Sequence, residues 1–174
     1  MTTGQTMLAL GALVLLTTIM LNFYRIFGSS WDTLDGTQLG IDATTIATSY
    51  MEIAEGLAFD RNILDDNIIV SNEMDLTFPS EFGPPDTVDH VSEFTVFDHF
   101  HGVQDTTTVQ GLGTYVTDFE VHYVFPDNVQ QYSGNQTYLK RMNMKIWRFD
   151  PPPPSGAGVD TVRMWTVKGY YGFQ

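Results

Sequence analysis

The chain has 174 residues, and its 8 Lys and Arg against 21 Asp and Glu give a net charge of −13. That length accommodates an N-terminal helix and one compact domain. The acidic excess argues against a nucleic acid as a partner, because phosphate binding requires clustered Lys and Arg. Cysteine is absent, which excludes a disulfide framework, a thiolate nucleophile and a cysteine metal site.

The most apolar stretch is residues 1–27, in which Arg25 is the only charged side chain. Twenty helical residues span about 30 Å, the thickness of the hydrocarbon core of a bilayer. We therefore predict a helix over residues 6–27 that either crosses a membrane or forms the core of an assembly. The stretch lacks a basic n-region and an A-x-A cleavage site, which favours a retained anchor or an already processed N-terminus over a cleaved secretory signal.

A second, amphipathic helix is predicted within residues 28–60, after a break or softening point at Gly28-Ser29-Ser30. Asp42 is its predicted N-cap and Gly56 lies near its end. Its apolar residues recur at intervals of three, four and seven, which is the period of one helical face. We expect this face to pack on the head domain through Leu39, Ile46, Tyr50, Ile53 and Leu57.

Residues 61–174 are predicted to form an antiparallel β-sheet head. Short strands are expected near 67–71, 74–78 and 93–100, and three longer strands over 114–125, 138–149 and 159–170, where apolar and polar residues alternate. In the first long strand one face is apolar and aromatic: Tyr115, Phe119, Val121, Tyr123 and Phe125, with Asp118, Glu120 and His122 on the other face. The second strand places Leu139, Trp147 and Phe149 opposite Lys140 and Arg148.

The loops between the long strands suit antiparallel connections. They include residues 126–135 and the Pro-rich segment 150–158. The predicted fold class is therefore α+β, with a long N-terminal hydrophobic helix that continues into an amphipathic helix packed on an antiparallel sheet.

His99 and His101 form an H-x-H pair next to Asp98. On a strand, residues i and i+2 face the same side, so the two imidazoles could ligate one metal ion. No H-E-x-x-H spacing accompanies them. We therefore predict no metal site and interpret the pair as surface residues of a strand.

An oxygen-rich cluster follows the second helix, and calcium prefers such ligands. The D-x-D-x-D-G spacing of a calcium loop is missing, however, and the interpretation we favour is a solvated acidic turn. Its members are Asp60, Asp65, Asp66 and Asn67.

No catalytic arrangement emerges from the sequence. A G-x-S-x-G elbow, a P-loop and a dinucleotide fingerprint are all missing, and Gly111-Leu112-Gly113 is a lone G-x-G. We predict neither an enzyme nor a cofactor. Asn135-Gln136-Thr137 matches the acceptor triplet for N-glycosylation.

An uncharged apolar N-terminal helix that runs into an amphipathic helix and then an aromatic-rich antiparallel sheet resembles the type IV pilin family. Met1-Thr2 fits the start of a mature pilin, whereas Gln5 stands where that family carries a glutamate. Residues 6–24 correspond to the apolar stem of the family and 28–60 to its second helical half. The match over 61–174 is one of architecture.

The resemblance implies a structural subunit of an extracellular filament that serves adhesion, motility or surface contact. Its partners would be copies of itself, the cytoplasmic membrane before assembly and the pilus assembly machinery. Glutamate in the family is thought to neutralise the N-terminal amine of a neighbouring subunit, and Gln5 offers a hydrogen bond without that charge. The implied subunit contacts are Met1, Gln5, Met7, Leu8, Leu10, Gly11, Leu13, Leu15, Leu16, Ile19, Met20 and Phe23.

Two alternatives use the same features: a single-span, membrane-anchored envelope binding protein, and a minor pseudopilin that does not polymerise alone. We favour the filament because the second helix continues the first without a long polar linker.

Overall fold

The computed structural model describes residues 3–65, 70, 72–86, 88, 90–152 and 161–171. The chain divides into two compact units, Met1–Gly40 and Ile41–Gln174. As predicted, the fold is α+β: a long N-terminal helix is followed by an antiparallel sheet of five strands.

Helix α1 spans Thr3–Gly56. The break predicted at Gly28-Ser29-Ser30 does not occur. Both serine hydroxyls donate to the Ile26 carbonyl oxygen, at 2.9 Å, and such bonds satisfy the hydroxyls within the helix instead of interrupting it. Because the helix is uninterrupted, Asp42 lies in its interior and is not an N-cap, which corrects a second prediction. The helix ends at Gly56, where a stop was expected.

Between α1 and the sheet lie helix α2, Arg61–Asp65, and four short 3₁₀ turns: Glu73–Asp75, Pro79–Glu81, Val91–Glu93 and Phe97–Phe100. The strands predicted at 74–78 and 93–100 are therefore wrong, and most of the strand predicted at 67–71 lies outside the described residues. Val96 and Phe97 are adjacent and both buried. A strand would point them to opposite faces, whereas a tight turn buries both.

The five strands are β1 (Gln104–Val109), β2 (Gly113–Phe125), β3 (Asn128–Tyr132), β4 (Leu139–Asp150) and β5 (Thr161–Gly169). Their order is β1-β2-β4-β5, all pairs are antiparallel, and β3 pairs with the end of β2. The three predicted long strands are confirmed as β2, β4 and β5. Strand β1 was not predicted, and β3 lies in a segment that was predicted to be a loop.

The core of the second unit lies between one face of the sheet, here called the inner face, and residues 41–56 of α1. Tyr115, Phe119, Val121 and Tyr123 on β2 are buried there, as the alternation predicted, whereas Phe125, predicted on the same face, is 40 % exposed. On the helix side the fully buried residues are small: Ala43, Ala47 and Ala54. The Tyr50 ring meets the Phe119 ring edge-on at 4.8 Å.

As predicted, Leu139, Trp147 and Phe149 lie on the opposite face of β4 from Lys140 and Arg148, but the face that carries Lys140 is the buried one. Lys140 is 0 % exposed and shares the inner face with the buried residues Met142, Met144 and Ile146, whereas Phe149 is 66 % exposed. The register explains this burial: Lys140 pairs with Tyr123 and Met144 with Phe119, and side chains paired across a ladder share one face. Hydropathy alone does not reveal that the face with the charged residue is the buried one.

Candidate functional site

The apolar surface of α1 over residues 3–27, here called the stem, is the first candidate site. Every side chain of the stem is exposed, including Leu13 at 63 %. Of the predicted contact residues, Met1 lies outside the described residues. The structure places the others on the surface of the stem: Gln5, Met7, Leu8, Leu10, Gly11, Leu13, Leu15, Leu16, Ile19, Met20 and Phe23.

The stem is apolar on all sides. Leu13, Val14, Leu15 and Leu16 are consecutive and exposed. Successive residues of an α-helix are rotated by about 100°, so four of them cover the whole circumference. A helix that docks one face on a soluble domain keeps its other face polar, whereas one that is apolar all round is enclosed by an apolar environment.

Three threonine hydroxyl groups in the stem, those of Thr6, Thr17 and Thr18, donate to carbonyl oxygens of the same helix. Thr17 donates to the Leu13 carbonyl oxygen and Thr18 to that of Val14, both at 2.8 Å. This matters in an apolar environment, where water is not available as a partner. Within the described residues, α1 is the helix long and apolar enough to cross a membrane.

Of the predicted helix–sheet packing residues, Leu39, Ile46 and Tyr50 are buried, Leu57 is half-buried just beyond the helix, and Ile53 is 40 % exposed. The Tyr50 hydroxyl lies 2.7 Å from Asp105 Oδ2 and 2.9 Å from Thr107 Oγ1. Burial raises the pKa of Tyr50 to about 12, so it stays neutral.

Polar contacts other than those of Tyr50 also join residues 41–56 of α1 to the sheet. The Tyr115 hydroxyl donates to Asp42 Oδ2 at 2.7 Å. Lys168 on β5 donates to the carbonyl oxygens of Ala54 and Glu55, each at 2.9 Å, and to that of Leu57. Lys168 therefore caps the last turn of α1, whose carbonyls have no partners within the helix. Burial lowers the Lys168 pKa.

The second candidate site is a buried cluster of three charged residues, Lys140, Asp60 and Asp98, here called the Lys–Asp–Asp cluster. Lys140 Nζ lies 2.6 Å from Asp60 Oδ2 and 2.5 Å from Asp98 Oδ1, and all three side chains are 0 % exposed. Three aromatic rings surround the ammonium group, at 4.4–5.0 Å from Nζ: Phe59, Phe82 and Tyr123. The cluster is thus sealed from water.

Asp60 is fully hydrogen-bonded. Its Oδ1 accepts hydrogen bonds from the backbone N–H groups of Asn62 and Thr77 and from the Thr77 hydroxyl, at 2.7–3.1 Å. Its Oδ2 accepts from Lys140 and, at 3.2 Å, from the Tyr123 hydroxyl. Burial alone would raise the Asp60 pKa, but the Lys140 charge and these bonds outweigh burial, and the pKa is lowered. Asp60 is held as a carboxylate.

Asp98 lies in a poorer environment. Its Oδ1 contacts Lys140, but its buried Oδ2 has no hydrogen-bond partner among the described residues. Burial, against the opposing Lys140 charge, raises the pKa of Asp98 to about 6. The two carboxyl groups on either side of Lys140 therefore differ in acidity, because one is supplied with hydrogen-bond donors and the other is not.

The histidine pair does not form the predicted strand motif. His99 lies buried on the 3₁₀ turn Phe97–Phe100, edge-on to the Phe94 ring at 5.6 Å, while His101 packs against the His122 ring at 5.4 Å. Among the described residues, no group of three or more His, Cys, Asp or Glu is arranged to hold a metal ion.

The prediction of a solvated acidic turn is also wrong for Asp60, because that residue is fully buried. The side chain of Asp65 and both Asp66 and Asn67 lie outside the described part of the chain. Asn135 of the acceptor triplet is exposed, but the Thr137 hydroxyl is buried and donates to carbonyl oxygens of Val124 and Leu139.

A groove of about 370 Å³ opens on the outer face of the sheet, opposite the buried core. Its walls combine aromatic rings with charges of both signs. They include Trp165, Tyr132, Asn143, Asp118, Lys145 and Arg163.

The Lys–Asp–Asp cluster was not predicted from the sequence. Its members lie 42 and 80 residues apart along the chain, so no local spacing marks them. One signal was present: Lys140 stands in an alternating strand at a position where the neighbours on its face, Met142 and Met144, are apolar.

No family model, curated protein or solved structure matches this chain.

Proposed function

We propose that the protein is a structural subunit that polymerises through its stem into an extracellular, type IV pilus-like filament. The observation that carries this proposal is the stem itself, which is apolar on every side and exposed at every described residue. Fully burying one large apolar side chain is worth about 1.5–3 kcal/mol. A surface of this size therefore requires enclosure by lipid or by other stems.

A glycine in the stem favours enclosure by other stems. At Gly11 an added Cβ would meet no atom within 4 Å, so the glycine serves no packing purpose inside the subunit. Small residues instead allow helices of neighbouring subunits to approach closely. Contacts between unlike surfaces of identical subunits generate open helical polymers, and a stem enclosed on all sides is the central element that such a polymer requires.

The second candidate function is a single-span, membrane-anchored envelope binding protein. The groove on the outer sheet face favours it, since aromatic walls with a few polar groups are typical of ligand sites. In that case the stem would be enclosed by lipid, and the groove would carry the activity.

Substitution of the stem tests the proposal. Leu13→Asp places a charge in the stem, where an aspartate at the centre of an apolar layer costs about 2.5–3.5 kcal/mol. We expect filaments in sheared cell-surface fractions to be lost. The matched control is Thr48→Asp, which adds the same charge to an exposed position of the same helix and should leave filaments intact.

The unaltered chain separates the two candidate functions. Mass spectrometry of sheared filaments should find this chain as the dominant component. If the chain stays in the membrane fraction and no filament contains it, the anchored binding protein replaces the filament subunit.

A further inference from the structure

We propose that Lys140 and Asp98 join in an intramolecular isopeptide bond, an amide between Lys140 Nζ and Asp98 Cγ that forms with the loss of one water molecule. The bond would link strand β4 to the 3₁₀ turn Phe97–Phe100 inside the head. This inference does not depend on the filament proposal, because it concerns the second compact unit alone.

The reacting groups are already in contact. Lys140 Nζ lies 2.5 Å from Asp98 Oδ1, and Oδ1 is bonded to the carbon that the amine attacks. Both side chains are 0 % exposed, so water neither solvates the amine nor competes with it. Holding the two groups in such geometry replaces a bimolecular encounter and thereby removes a large part of the free-energy barrier to the reaction.

The differing environments of the two carboxyl groups assign their roles. An amine attacks a neutral carboxylic acid far more readily than a carboxylate, whose negative charge repels the lone pair. Asp98 is the more readily protonated of the two carboxyl groups, because burial raises its pKa to about 6. Asp60 is the one that its donors keep ionised, and it lies 2.6 Å from Nζ. Asp98 is therefore the electrophile, and Asp60 is the base that takes a proton from Lys140.

The reaction balances without any co-reactant. A proton passes from the Lys140 ammonium to Asp60 Oδ2, which leaves a neutral amine. The amine lone pair forms a bond to Asp98 Cγ, and the tetrahedral intermediate expels the Oδ2 hydroxyl. That hydroxyl takes a second proton from the nitrogen and leaves as water. The products are a secondary amide, one water molecule and a protonated Asp60.

The product also removes what is unfavourable in the cluster. Asp98 Oδ2 is a buried polar atom without a partner among the described residues, and such an atom carries a desolvation penalty. In the amide that oxygen is gone. The charge on Lys140 is gone as well, and burying a charged group is costly even when it is paired.

The decisive measurement is the intact mass of the full chain, purified in detergent and then denatured. We expect a mass lower than that of the sequence by one water molecule, and protease digestion should yield a branched peptide that joins Lys140 to Asp98. A mass equal to that of the sequence would overturn the proposal, and so would a branched peptide that joins Lys140 to Asp60.

Substitutions make the test specific. Lys140→Arg and Asp98→Ala should each show no mass deficit, while the control Lys145→Arg, at an exposed lysine of the same strand, should keep it. Asp98→Asn preserves shape and can react with loss of ammonia, so its linked product should have the same mass as linked wild type. Asp60→Asn should leave the chain unlinked, because the base is gone; a linked Asp60→Asn protein would overturn the role of Asp60.

Discussion

At Lys140, a single side chain meets two carboxylates and three aromatic rings in the interior of the head. Buried ion pairs gain little net stability, because desolvation offsets the attraction, but removing one member leaves an uncompensated charge. The arrangement is therefore better explained by chemistry or by specificity than by simple stabilisation. Asp60 and Asp98 illustrate this, since they are the same residue type and hydrogen bonding makes them chemically different.

We predict that His122 makes the free energy of unfolding depend on pH. Burial, with contributions from His101 and Arg141, lowers the His122 pKa below 6.5, against the opposing effect of Glu120. Between the folded and unfolded pKa values the unfolded chain binds more protons, so the free energy of unfolding should fall as the pH is lowered from about 6.5 through the folded pKa. His122→Gln should remove that part of the loss.

The measurement is the denaturant midpoint of the detergent-solubilised chain at several pH values between 7.5 and 5, roughly the range in which histidine titrates. Identical pH profiles for wild type and His122→Gln would contradict the prediction, because the two proteins share every other titrating group.

At the scale of elements, α1 has two parts with different requirements. In the stem the hydroxyls of Thr6, Thr17 and Thr18 bond to the helix backbone, and apolar side chains lie on all sides. Residues 41–56 instead bury small residues, Ala43, Ala47 and Ala54, against the sheet. The small side chains bring the helix close to the inner face, which is why Tyr50 and Asp42 reach polar partners on β1 and β2.

We predict that the cap at the end of α1 stabilises the folded chain. Lys168→Met removes the donor that caps three carbonyl groups, and hydrogen bonds from a charged donor are worth about 1.5–3 kcal/mol. We expect the free energy of unfolding to fall by about 2 kcal/mol, measured by chemical denaturation of the detergent-solubilised chain. The control is Lys145→Met at an exposed position, which should change it by less than about 0.5 kcal/mol. Equal effects of the two substitutions would show that the cap contributes nothing.

At the scale of the whole molecule, the chain combines an apolar stem with a net charge of −13. Assembly of identical subunits brings like charges together, and this repulsion opposes the apolar contacts between stems. Salt reduces the repulsion, since the Debye length falls from about 30 Å at 0.01 M to about 8 Å at 0.15 M.

The proposed filament should therefore be more stable at higher ionic strength. Filaments diluted into low salt are expected to release more subunits than those diluted into 0.5 M salt, roughly where the Debye length is only a few ångströms. Sedimentation followed by quantification of the supernatant measures the release. Greater release at high salt would indicate that ion pairs, and not stems, hold the polymer together.

The isopeptide bond would also act at this scale. It closes a loop between residues 98 and 140, which are 42 apart. By the loop-entropy relation used for disulfides, such a link stabilises the head by about 4 kcal/mol. A chain without cysteine would gain in this way the kind of constraint that disulfides give secreted domains.

The amino-acid sequence by itself determined the stem, the α+β class and the three long strands. These follow from local periodicity: consecutive apolar residues predict the stem, and strict alternation predicts β2 with its buried face. The burial of the Lys140 face of β4, the 3₁₀ turns and the Lys–Asp–Asp cluster were decided only by the tertiary structure. Lys140 is buried because Asp60 and Asp98, 80 and 42 residues away, reach the same point. Contacts between such distant residues leave no period in the sequence, since they depend on how the elements pack.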